Sequence, residues 1–86
     1  MSDKDQLIIP PAASDDAKSF EILRVWIADN QQHLTLDTGV WEDPAAWGIM
    51  LADLAKHIAK AYHLENGLDE ASTLQRIMAG ISVEFD

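Results

Sequence analysis

FEILRVWIADNQQHLTLDT, Phe20 to Thr38, is the stretch whose reading decides the fold. Two apolar runs flank the polar Asp29-Asn30-Gln31-Gln32. Phe, Ile, Val, Trp and Thr suit a pleated, half-buried surface, and the polar break supplies turn formers, so the pattern predicts a β-hairpin. If Ala28 faces His33, the alternation of side chains puts Ile27 opposite Leu34, Val25 opposite Leu36 and Leu23 opposite Thr38, all on one face. The other face then pairs Trp26 with Thr35 and sets Arg24 opposite Asp37. Such an exposed ion pair contributes only ~0 to 1 kcal/mol, so it informs register more than stability. The competing reading is a helix from Asp15 to Ala28, because Phe20, Leu23 and Ile27 also fit one helical face.

Beyond the hairpin, TGVWEDPAAWGIM (Thr38 to Met50) is a helix entry. Asp43 stands where an N-cap carboxylate can accept from free amides of the first turn, and Pro44 suits the first helical position because it has no N–H to lose. AAWGIMLADLAKHIAKAYHLE then reads as helix, with Trp47, Leu51, Leu54, Ile58 and Ala61 on one stripe. Asn66-Gly67 supplies a left-handed stop. Asp69 caps a second helix to about Val83, whose stripe is Leu74, Ile77, Met78, Ile81 and Phe85. Gly80 interrupts that stripe, which suggests close packing against a neighbouring element. The short connection makes the two helices antiparallel.

Trp41 and Trp47 flank this entry at a spacing that suits an apolar clamp on the helix mouth. The alternative is a small-molecule pocket near Trp41 and Trp47, since helix mouths can bind anions, although Glu42 and Asp43 already bring negative charge there.

Residues 1–19 read as an arm ahead of a single domain, 20–86. Pro10-Pro11 forces an extended path, Ser14-Asp15-Asp16 can cap one helical turn, and residues 1–5 are expected to be mobile. Leu7-Ile8-Ile9 is expected to lie against the domain or a partner. The fold class is therefore α+β, a two-layer domain of order arm, strand, strand, helix, helix, with the hairpin packed on two antiparallel helices.

Composition narrows function without naming it. The 86 residues are 48 % hydrophobic and 24 % charged, ordinary for one small domain that buries roughly 60 to 65 % of its unfolded surface. Fifteen acidic against six basic side chains give a formal charge of -9, which argues against binding nucleic acid or anionic membranes. There is no cysteine, no leader-like N-terminus and no apolar run long enough to span a bilayer, so a soluble cytoplasmic protein is expected. Of the three histidines, His57 lies four residues after Asp53 on a helix, but no third ligand stands at a metal-binding spacing. None of Ser14, Ser19, Ser72 and Ser82 lies in a nucleophile elbow, and the glycines at 39, 48, 67 and 80 form no phosphate loop. The expectation is no enzyme, no cofactor and no metal.

The residues left over are apolar and outward-facing. With Leu23, Val25, Ile27, Leu34 and Leu36 turned to the helices, the outer hairpin face still carries Ile22 and Trp26, and a two-stranded sheet has open edges. Joining two hairpins into a four-stranded sheet would cover them. The arm around Ile8 lying over them would do so too. A homodimer with Ile22, Trp26 and Ile8 at its interface is the leading expectation, an unidentified protein partner is a further possibility, and a monomer with a docked arm is the alternative.

The L-R-V-W-I strand, the D-P-A-A-W-G-I helix entry and the L-A-D-L-A-K-H-I-A-K-A-Y helix resemble a family of small bacterial proteins defined only as a domain of unknown function. The resemblance covers nearly the whole chain. It implies a bacterial cytoplasmic protein of about this size and brings no activity, substrate, cofactor or catalytic residue.

Overall fold

In the computed structural model, which describes residues 5–86, the element order is a short helix, two strands and two long helices. They are α1 (Pro11–Asp15), β1 (Leu23–Ala28), β2 (Gln31–Leu36), α2 (Ala45–Asn66) and α3 (Glu70–Phe85). This is the α+β order predicted from the sequence. The helical alternative for 15–28 is overturned, because Leu23 to Ala28 pairs antiparallel with β2 along its whole length.

The register differs from the predicted one by two residues. Leu23 faces Leu36, Val25 faces Leu34 and Ala28 faces Gln31. The cause is the turn. Asp29 and Asn30 both take positive φ, 58° and 60°, the backbone of a two-residue primed turn, so the loop is shorter than the four polar residues suggested. Asp and Asn tolerate this region better than most residues because their short side chains bond locally. A two-residue shift preserves the faces, so Leu23, Val25, Ile27, Leu34 and Leu36 still share one side. It does break the expected Arg24–Asp37 pair. Arg24 instead bonds Glu21, with Nη2 to Oε1 at 2.9 Å, while Thr35 stands opposite it.

The chain divides into two compact units, Met1–Val40 and Trp41–Asp86. In the first, the helical turn is Pro11–Asp15, so the extended path ends at Pro10 and Ser14 and Asp15 lie inside the turn instead of capping it, because Pro11 presets the φ of a first turn. Asp16 accepts from the Lys18 amide and Ser19 donates its hydroxyl to the Ala13 carbonyl, which closes the turn. Leu7 and Ile8 are 88 % and 87 % exposed, so the arm covers no apolar surface with them. The mobility expected of residues 1–5 falls mostly on positions 1–4, outside the described residues.

In the second unit, α2 opens at Ala45, one residue later than predicted, with Pro44 at the cap position and the Asp43 carboxylate still reaching the first amide. The Ala45 amide donates to the Asp43 carboxylate at 3.0 Å, and Pro44 follows Asp43 without an N–H to satisfy. Gly67 ends α2 at φ 73°, its amide donating to the His63 carbonyl at 2.9 Å. Asp69 caps α3 by accepting from the Ser72 amide at 2.9 Å. That bond, then the Ser72 side chain, and His63 nearby hold the Asp69 carboxyl below the usual aspartate range, with partial opposition from desolvation.

The seam between α2 and α3 is narrower than the predicted stripe. Among the described residues only Ala55 and Ala59 are buried, while Leu51, Leu54 and Ile58 stay 39 to 51 % exposed beside them. Two helices share one line of contact, and small side chains let that line close. The larger residues therefore flank the seam. Gly80 does not sit at a close approach either, since a Cβ there would meet nothing within 4 Å.

Candidate interaction surface

Trp26 and Ile22 lie on one side of β1, separated by Arg24, and both are half-buried within the described chain. The aliphatic side is the more open of the two. Val25 is 50 % exposed, Ile27 72 %, Leu34 46 % and Leu36 45 %, so within its own unit the hairpin leaves its most apolar face without a cover. Sequence reasoning assigned the surplus to Ile22 and Trp26; the geometry adds the opposite face to it.

Among the described residues, nothing pairs with the outer edge of β1. The Asp37 amide donates to the Ile22 carbonyl at 3.0 Å, which makes 22 and 37 a directly bonded pair in the observed register. Bonding alternates along an antiparallel pair, so Arg24, Trp26 and Ala28 turn their backbone groups toward β2, while Leu23, Val25 and Ile27 turn theirs away from it. An open hollow of about 1040 Å³ runs along this strand, lined by all of β1 and, on its far side, by arm residues that include Leu7, Ile8 and Ile9. No backbone hydrogen bond joins the described arm residues to β1. Sequence patterning could not locate this edge, because it depends on the turn length.

At the helix entry, Trp41 and Trp47 meet edge to face, with ring centroids 5.3 Å apart and planes at 84°. This is the favoured geometry of an aromatic pair and fits a clamp on the first turn of α2. Neither the hollow along β1 nor a smaller one near Leu36 is lined by either tryptophan.

Two histidines on α2 make local contacts. His57 Nε2 lies 3.2 Å from Asp53 Oδ2 on the exposed side of α2. Among the described residues, no group of three or more His, Cys, Asp or Glu is placed to hold a metal ion. His63, passed over in the sequence, bridges the helix corner: its Nδ1 lies 2.9 Å from the Leu68 carbonyl. A carbonyl can only accept, so Nδ1 carries the hydrogen. No helix among the described residues is long and apolar enough to cross a membrane.

A family model matches residues 6–86, nearly the whole chain. The chain belongs to that family, Domain of unknown function (DUF5076). It is also similar to a solved structure from the photosynthetic bacterium Rhodopseudomonas palustrus CGA009, described as a "putative pyruvate dehydrogenase". The two are 29 % identical, the match covers 100 % of this chain and 87 % of that one, and the TM-score is 0.77. None of the curated proteins matches the chain. The family membership agrees with the resemblance carried by the strand and helix-entry motifs.

Proposed function

We propose that this chain is a non-enzymatic interaction domain of the bacterial cytoplasm that self-associates through its hairpin, with Ile22, Trp26 and Ile8 at or beside the contact. One observation carries the reading: the hairpin's aliphatic side chains, 45 to 72 % exposed at Val25, Ile27, Leu34 and Leu36, have no cover within their own unit. A lone two-stranded sheet is marginal in water, and a second copy that lengthens it and sets these side chains against their own kind offsets that weakness.

Sedimentation velocity on the full chain and on Trp26→Ala tests this. A reversible dimer that weakens in the variant is expected. One monomeric species at high micromolar concentration, unchanged by the substitution, contradicts it.

The second reading is a small-molecule site beside Trp41 and Trp47. Its support is the half-exposed indole pair at the mouth of α2. Metabolite screening by tryptophan fluorescence on Trp26→Phe, where only Trp41 and Trp47 emit, tests it. A chain that responds to nothing in the screen counts against the site.

A further inference from the structure

The geometry points to a specific contact for this self-association: β1 pairs antiparallel with β1 of a second copy, centred on Val25, to give a four-stranded sheet in the order β2, β1, β1, β2. The inference rests on the proposed self-association and adds the edge, the register and the residues that meet.

The outer edge of β1, unpaired among the described residues, supplies the bonds. Leu23, Val25 and Ile27 present their amides and carbonyls outward, away from β2. A two-fold axis at Val25 places Val25 against its own counterpart and Leu23 against Ile27 of the other copy. All three are then directly bonded pairs, and every outward amide finds an outward carbonyl. Edges that must stay unpaired carry proline, a bulge or unneutralised charge. β1, LRVWIA, has no proline, it pairs residue for residue with β2, and its single charge at Arg24 is already matched by Glu21 at 2.9 Å.

The same axis makes the side chains self-complementary. Leu23, Val25 and Ile27 meet their own kind across the seam, and this contact removes part of their exposed aliphatic area from water. On the other side, Arg24 of each copy falls opposite Trp26 of its mate. A guanidinium over an indole is a favourable contact, and the planar group can keep its carboxylate partner at its rim while stacking. The hollow along β1 is lined by every residue of that strand and by none of β2. The outer edge of β2 is the poorer choice, since a pairing centred on Leu34 sets His33 against Thr35 and brings no cation to an aromatic ring.

Amide hydrogen exchange on the unaltered full chain reads the edge directly. The Leu23, Val25 and Ile27 amides are expected to slow as protein concentration rises, about tenfold when nine chains in ten are paired, while Leu34 on the outer edge of β2 stays fast. Concentration-independent protection at Val25 means that the arm of the same chain covers the edge, and protection at Leu34 instead means pairing through β2. Either result overturns the inference.

Val25→Cys, in a chain otherwise free of cysteine, tests the register. Directly bonded partners have Cα atoms about 5.5 Å apart, within disulfide reach, so oxidised glutathione should give a covalent dimer. Ala28→Cys should not, because its counterpart lies about 20 Å along the strand. A dimer by sedimentation with no Val25 cross-link and no Val25 protection overturns this contact and leaves self-association standing. A monomer throughout overturns both.

Discussion

Trp41 and Trp47 close the entry of α2 by meeting edge to face, 5.3 Å between ring centroids. Each tryptophan stands on one side of the Asp43-Pro44 cap, so their contact fixes the angle at which the chain enters the helix. A double-mutant cycle with Trp41→Leu and Trp47→Leu, followed by urea unfolding, should return a coupling of about 0.5 to 1.5 kcal/mol. Additive effects would mean that the rings act independently and that the clamp is absent.

Asp69 links stability to pH. Its folded carboxyl titrates below the usual aspartate value of 3.8, chiefly through the Ser72 amide. A lowered folded value means stability present above the unfolded value and lost as pH falls from about there through the folded one. Asp69→Asn keeps a capping oxygen but removes the charge. The gap in melting temperature between the two chains should therefore be largest near neutral pH and should shrink below the usual aspartate range. A gap independent of pH would contradict the assignment.

Gly80 lies within α3, and a Cβ there would meet nothing within 4 Å, so its lack of a side chain has only an entropic consequence in the isolated chain. Gly80→Ala should raise stability by about 1 kcal/mol in thermal or urea unfolding. A loss would show that a neighbour approaches there in solution.

Asn30 holds φ 60° as the second turn residue. Asn30→Gly should be neutral or stabilising, and Asn30→Val should cost about 1 to 2 kcal/mol, because a branched side chain resists the left-handed region. Equal stability of the three chains would mean that the turn is not primed.

Much of this architecture is legible in the sequence where local chemistry decides it. Asp43-Pro44, Gly67 and Asp69 mark helix ends because each answers a backbone group that the helix itself cannot satisfy. The hairpin was legible from its strand formers, but its register was not. Asp29 and Asn30 complete the turn alone, and Gln31 and Gln32 are strand residues despite their polarity. Because the resulting shift is even, the face assignment survived and the Arg24–Asp37 pair did not. The candidate surface was legible in part. Ile22 and Trp26 follow from periodicity, whereas the open edge at Leu23, Val25 and Ile27 follows from bonding parity, which only the turn length sets. The seam of α2 was misjudged for a related reason: hydrophobicity singles out Leu51 and Ile58, while close approach of a helix selects Ala55 and Ala59.

Self-association is tested most directly by the mass of the unaltered full chain in solution, measured by light scattering from low to high micromolar concentration at two ionic strengths. A formal charge of -9 on each copy opposes pairing at low salt, and screening over about 10 Å at 0.1 M relieves it. The mass should rise from one chain to two with concentration, at lower concentration in the higher salt. A mass of one chain at every concentration and both salts would contradict the account.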